Sequence, residues 1–147
     1  MLFRSGFTLV ELVMVLVVIG ALAVFVLPRA LDLQVWRLTA FGGELQAQAM
    51  AMQRLALVQR RPVVATFTPT GASFDYAAGG NLVSLPCPAA VSPCIAQAGS
   101  SSATFNAGNG GSTTTSSGNA LAIVVSGGGT TLNYQIELET GLFRALP

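Results

Sequence analysis

Apolar and polar positions along the chain fall into three regimes. From residue 12 to residue 27 no side chain is charged. A helix that begins at Phe7 and runs to the end of this stretch covers about 21 residues, or about 31 Å at 1.5 Å per residue, which is long enough to span a bilayer. Gly20 and Pro28 punctuate it. Proline lacks the backbone donor and clashes with the carbonyl of Val24, so the pattern allows either a kink at Pro28 or a membrane helix ending at its interface, with Arg29 among the headgroups. Farther on, Leu38, Phe41, Leu45, Ala49, Met52, Leu55 and Ala56 recur at spacings of three and four. This predicts an amphipathic continuation of the helix over residues 29–61, with Arg37, Glu44, Gln48 and Arg54 mostly elsewhere around the wheel. Gly42-Gly43 weakens its middle by about 1 kcal/mol per glycine and leaves room for a bend. Ala40, Ala47, Ala49 and Ala51 permit close packing against a sheet or another helix, and packing of the apolar stripe within the subunit is the expectation. Arg60-Arg61-Pro62 ends the helix, because the residue before proline is biased out of the helical region.

After Pro62 the period changes to two. Val63-Val64-Ala65-Thr66-Phe67-Thr68 and Ala72-Ser73-Phe74-Asp75-Tyr76 read as strands around a turn at Pro69-Thr70-Gly71, and Gly79-Gly80-Asn81 turns the chain into residues 82–85. Residues 99–119 are rich in Gly, Ser, Thr and Asn. They are expected to form a flexible exposed loop, with at most a short strand at Thr104-Phe105, since such a composition buries little apolar surface. The strongest strands come last: Ala120-Leu121-Ala122-Ile123-Val124-Val125-Ser126 is almost continuously apolar, and residues 131–138 alternate, with Leu132, Tyr134, Ile136 and Leu138 on one face. Gly127-Gly128-Gly129 joins them, and Glu139-Thr140-Gly141 turns into Leu142-Phe143-Arg144. A helix with one apolar face followed by strands with one apolar face closes as helix on antiparallel sheet, an α+β fold.

Composition narrows the setting. The 147 residues suit one small domain plus an anchor. With 52% hydrophobic and 9% charged residues and a mean hydropathy of +0.63, the chain points to a membrane or a dry assembly. A net charge of +1 gives no electrostatic case for nucleic acid, which is not an expected partner.

Glu11 is the anomaly of the apolar stretch. A carboxylate in hydrocarbon costs about 2.5–3.5 kcal/mol even on the forgiving insertion scale, so it needs a partner, and the nearest basic residues, Arg4 and Arg29, lie outside the apolar run. Arg4-Ser5-Gly6 followed by Phe7-Thr8-Leu9-Val10-Glu11-Leu12 and an apolar helix closely resembles the N-terminus of type IV pilins and type II secretion pseudopilins. The resemblance is specific over residues 4–29 and diffuse beyond. It implies a leader of residues 1–6, cut between Gly6 and Phe7 by a prepilin peptidase that then methylates the amino group of Phe7. It implies a membrane and filament-core helix over 7–28, which in similar pilins partly unwinds near Gly20 and Pro28, and a β-rich periplasmic part over 62–147. Glu11 would neutralise the amino terminus of a neighbouring subunit, so that each charge offsets the other's burial and a subunit out of register leaves both unpaired. Implied partners are the peptidase, other pilin or pseudopilin subunits, the inner-membrane assembly platform and membrane lipid. The implied location is the inner membrane before assembly and a periplasmic or extracellular filament afterwards. The basic residues flanking the helix do not by themselves orient it, but a short leader stays in the cytoplasm while a long C-terminal part is exported. The helix-then-sheet order with a last strand pair around Thr140-Gly141 also resembles the minor pilins and minor pseudopilins, a pilin-like fold in which the second half of a long N-terminal helix packs on the sheet.

Rival readings remain at three points. Arg4, the apolar run and Ala21-Leu22-Ala23 also suit an ordinary secretory signal, although apolar residues continue past that site and Glu11 interrupts the run. Cys87 and Cys94 sit in a proline-bounded loop that can bring the sulfurs together as a disulfide, which suits an exported domain; a metal site would lack half of zinc's usual ligands. Glu137 and Glu139, two residues apart, invite a paired-carboxylate reading but suit the solvent face of a strand better. With no His, no nucleophile motif and no phosphate loop, neither an enzyme nor a cofactor is expected. The alternative to a filament subunit is a membrane-anchored binding or adhesion module.

Overall fold

A computed structural model describes residues 8–30, 33–97, 99–108 and 111–147, with side chains omitted for residues 24–30. The chain divides into two units, Met1–Leu33 and Gln34–Pro147. The helix of the first unit is α1, Leu9–Ala30. Its helical backbone passes through Gly20 and Pro28.

The second unit is α+β. Helix α2 (Leu33–Gln59) is followed by eight strands: β1 (Val63–Thr68), β2 (Gly71–Tyr76), β3 (Asn81–Pro86), β4 (Ser101–Phe105), β5 (Thr113–Thr115), β6 (Leu121–Gly127), β7 (Thr130–Ile136) and β8 (Phe143–Leu146). They form two antiparallel sheets, one of five strands in the order β3-β2-β1-β4-β5 and one of three in the order β6-β7-β8. Their inner faces share one core with the buried stripe of α2, Leu38, Phe41, Leu45, Ala49, Met52 and Ala56. The three-and-four spacing of the sequence therefore marks the face that meets the sheets, except that Leu55 is only half-buried.

Period-two alternation becomes burial directly. In β1, Val63, Ala65 and Phe67 are buried and the residues between them half-buried. In β6, Leu121, Ile123 and Val125 face inward. The hairpin register Gly127↔Thr130 leaves Gly128-Gly129 as a two-residue turn with φ of 58° and 79°. Two successive positive φ values are what a primed hairpin turn requires and what glycine adopts without steric cost. On β7, Tyr134 and Ile136 are buried while Leu132 is half-buried, and the strand ends before Leu138. Burial pushes the Tyr134 hydroxyl above its ordinary pKa.

The Gly/Ser/Thr-rich segment departs from expectation. It forms β4 and β5, and β4 lies inside the five-stranded sheet between β1 and β5. Ala103 pairs with Ala65 and Phe105 with Val63, all four buried. On β5, Thr113 and Thr115 bury their β-branched side chains, and the Thr115 hydroxyl donates to the Asn119 carbonyl at 2.6 Å. Low apolar content does not keep this segment out of the fold, because the inward positions are the few that carry a methyl or a ring.

Helix α2 runs unbroken through Gly42-Gly43, where the sequence allows a bend. Gly42 is buried beneath β7, where a Cβ would strike the Tyr134 hydroxyl and come within 2.9 Å of Leu132 Cδ1; a Cβ on Gly43 would meet nothing. Opposite outcomes are expected from these neighbours. Gly42→Val should lower unfolding free energy in urea by about 1–3 kcal/mol through overpacking. Gly43→Ala should raise it by about 1 kcal/mol through helix propensity. A bend that uses both glycines would make the two effects alike in sign.

At its C-terminus α2 closes with a left-handed residue, Arg60 at φ 52°, and the Arg61 amide donates to the Ala56 carbonyl at 3.2 Å. This is the pattern of a Schellman motif with arginine where glycine is usual. The Arg61 guanidinium then sits 3.9 Å from the centre of the Tyr76 ring, whose hydroxyl donates to Gln59 Oε1 at 2.6 Å. Together these contacts seat the helix end on the five-stranded sheet.

Candidate assembly site

The candidate site is the first turn of α1. Leu9 opens the helix, and Thr8 caps it: the Glu11 amide donates to Thr8 Oγ1 at 3.3 Å and the Leu12 amide to the Thr8 carbonyl at 3.2 Å. Thr8 and Glu11 occupy the N-cap and N3 positions of a capping box, in which a hydroxyl satisfies an orphan amide at the helix start. A carboxylate in the first turn also lies at the favourable end of the helix dipole. Thr8 is thus a positioning residue that the sequence reading passed over, although the Thr-x-x-Glu spacing signals it.

Glu11 is exposed, and so is nearly every apolar residue around it. The large side chains of α1 from Leu9 to Leu22 are between 47% and 79% exposed, on all sides of the helix. A helix apolar all round has no face suited to water. Among the described residues no helix is long and apolar enough to cross a membrane.

The other expected site residues are dispersed. Gly6 and Phe7, the expected cleavage and methylation positions, lie outside the described residues, as does the whole leader. Gly20 is within α1 with nothing near the position of a Cβ. Pro28 is in the helical backbone of α1, and its side chain lies outside the described residues. Cys87 and Cys94 are joined as a disulfide with Cα atoms 5.7 Å apart. The sulfurs are therefore bonded to each other rather than held ready for a metal.

Among the described residues of the second unit, Glu137 has partners other than a carboxylate. Glu137 lies beyond the end of β7, where it pairs with Arg144 at 3.2 Å and accepts a hydrogen bond from the Thr140 hydroxyl at 2.9 Å. Glu139 is exposed in the same turn. Glu137 thus ties the β7–β8 connection together, and the strand face expected to carry both residues stops at Ile136.

No family model, curated protein or solved structure matches the chain.

Proposed function

We propose that this chain is a structural subunit, of the minor kind, of a type IV pilus or type II secretion pseudopilus, built into a filament through its N-terminal helix. The observation that carries the reading is α1, an apolar helix uncovered on all sides whose single carboxylate, Glu11, stands in a capped first turn. Lipid covers such a surface before assembly and neighbouring helices cover it afterwards, while the membrane-spanning length includes the apolar residues 24–27. The resemblance of residues 4–12 to prepilin processing sites supports the same reading, and the helix-on-sheet order of the second unit is compatible with it. The role is mechanical rather than catalytic: cleavage at Gly6, methylation of Phe7, storage in the inner membrane and extraction into a filament with the second unit outside.

Intact mass of the chain purified from membranes of its native host tests this. Loss of residues 1–6 with gain of one methyl group is the expected result; an uncut chain, or one cut after Ala23, overturns it in favour of an anchored or secreted module. Glu11→Leu separates assembly from anchoring. The variant should be cleaved and stored in membranes as the parent is, yet fall at least tenfold in sheared filaments, because the neighbour's amino group would be buried unpaired. Normal incorporation would remove the charge-pairing role.

A further inference from the structure

The five-stranded sheet is almost free of charge. Between Pro62 and Ile136 the one charged residue is Asp75, on β2. The inner face of this sheet lies in the core, and its outer face carries a row of hydroxyls set by the strand registers. Ser84 of β3 stands opposite Ser73 of β2, Ser73 opposite Thr66 of β1, and Thr66 opposite Ser102 of β4. At about 4.8 Å between strands, the row runs about 14 Å across the four of them. All four residues are half-buried or exposed. The Ser73 hydroxyl donates to Asp75 Oδ2 at 3.3 Å, whereas among the described residues the hydroxyls of Thr66, Ser84 and Ser102 take part in no hydrogen bond. Along the row an open cavity of about 180 Å³ lies over β1, β2 and β3, walled by Thr66, Ser73 and Ser84 together with Thr68, Thr70 and Pro86.

We propose that this face binds an extended, uncharged glycan of the β-1,4-linked type, laid along the hydroxyl row with one sugar ring in the cavity. A hydroxyl both donates and accepts, as every sugar hydroxyl does, so the row meets such a chain without a mismatched group. Charge selects the occupant further. An anionic polymer finds no cation on this sheet, and a polycation finds only Asp75, already engaged by Ser73. A protein partner would be met by an apolar centre rich in aromatic residues, and no aromatic side chain lies in the row or the cavity. A β-1,4 linkage keeps a glycan straight, as the row is, whereas an α-1,4 linkage coils it. At about 180 Å³ the cavity falls below the roughly 300–1,000 Å³ of sites that enclose a whole ligand, so it suits one ring of a longer chain. Each hydroxyl bond to the glycan replaces one to water, so a single ring binds weakly and a run of rings is needed. The site lies wholly in the second unit and does not depend on the filament reading.

The test uses the full chain in detergent micelles, which cover α1, and reads its depletion from solution by microcrystalline cellulose and by chitin. The parent should sediment with at least one of them several-fold more than with granular starch, and excess soluble cellohexaose should release it. Retention should hold as salt is raised to about 1 M, where charges are screened beyond about 3 Å. Thr66→Val with Ser84→Ala removes two hydroxyls at little cost in shape, so binding should fall at least about fivefold while the urea midpoint stays in place. Ser102→Ala, in the row but outside the cavity, should also weaken binding. Thr39→Val removes a hydroxyl that bonds the Val35 carbonyl on α2 and should bind as the parent does. If the double variant fails to fold, cellohexaose release and Ser102→Ala decide. Retention no better than on starch, release by salt but not by cellohexaose, or parental binding in the row variants would each overturn the proposal. An uncut chain that binds cellulose removes the pilin reading and leaves the glycan site, whereas a cut and methylated chain that does not bind either polymer removes the site alone.

Discussion

Phe105→Ala is expected to cost about 3–5 kcal/mol of unfolding free energy, the usual penalty for emptying a buried aromatic site. Phe105 is 1% exposed and stands on β4 opposite Val63 of β1 and Thr113 of β5. Its removal leaves a void in the core on the inner face of the five-stranded sheet, with little freedom to collapse because β4 is held by ladder hydrogen bonds on both sides. Domains of ordinary stability have about 5–15 kcal/mol in total, so this one change should leave the second unit marginal. Thr104→Ala is the control: Thr104 is the adjacent residue on the opposite, half-buried face and should cost under about 1 kcal/mol. Urea unfolding followed by circular dichroism measures both. If residues 99–119 were a free loop, the two substitutions would be equally silent.

Loss of the Cys87–Cys94 disulfide is expected to cost about 2.5 kcal/mol from loop-closure entropy alone. The bond does more than close a short loop. The Cys87 amide donates to the Thr70 carbonyl at 2.8 Å and the Cys94 amide to the Pro69 carbonyl at 3.0 Å, which ties both ends to the β1–β2 turn. From there the Ser126 amide donates to the Cys94 carbonyl and the Ala96 amide to the Val124 carbonyl, each at 2.8 Å, and Ile95 forms a bridge with Val125. The segment around Cys94 is a strap from the five-stranded sheet to the outer edge of β6, and it covers backbone groups that would otherwise form an open sheet edge. Replacing both cysteines by alanine should lower the urea midpoint while raising the slope, since an uncrosslinked denatured state exposes more surface. Treating the parent with a reductant should reproduce the shift. A midpoint unmoved by either treatment would show that the strap holds without its bond.

Much of this architecture is legible in local patterns. The spacing of Leu38, Phe41, Leu45, Ala49, Met52 and Ala56 identifies the inner face of α2, and Pro62 marks the change to strands. Alternation in β1 and β6 gives their inward residues, and adjacent glycines give the β6–β7 turn. These signals are short-ranged because helix and strand periods, proline's missing donor and glycine's permitted φ act within a few residues. In the candidate site the same reasoning reaches Glu11, a charge among apolar neighbours, and in the second unit it reaches Cys87 and Cys94, two cysteines in one short loop.

What remained hidden depends on neighbours distant in sequence. Gly42 and Gly43 are identical side by side until β7 brings Tyr134 against one of them. Thr104 and Phe105 lie in a stretch too polar to form its own core, and β1 supplies the apolar partner that makes β4 a strand. Ala47 and Ala49 carry the same side chain, yet one faces solvent and the other the sheets. By itself the sequence determined the helices, most strands, the turns and the residues with unusual chemistry. Only the tertiary structure decided the partition of strands into two sheets, the inclusion of the Gly/Ser/Thr-rich segment and the uncovered face of α2, because burial is a property of what packs against a residue and not of the residue alone.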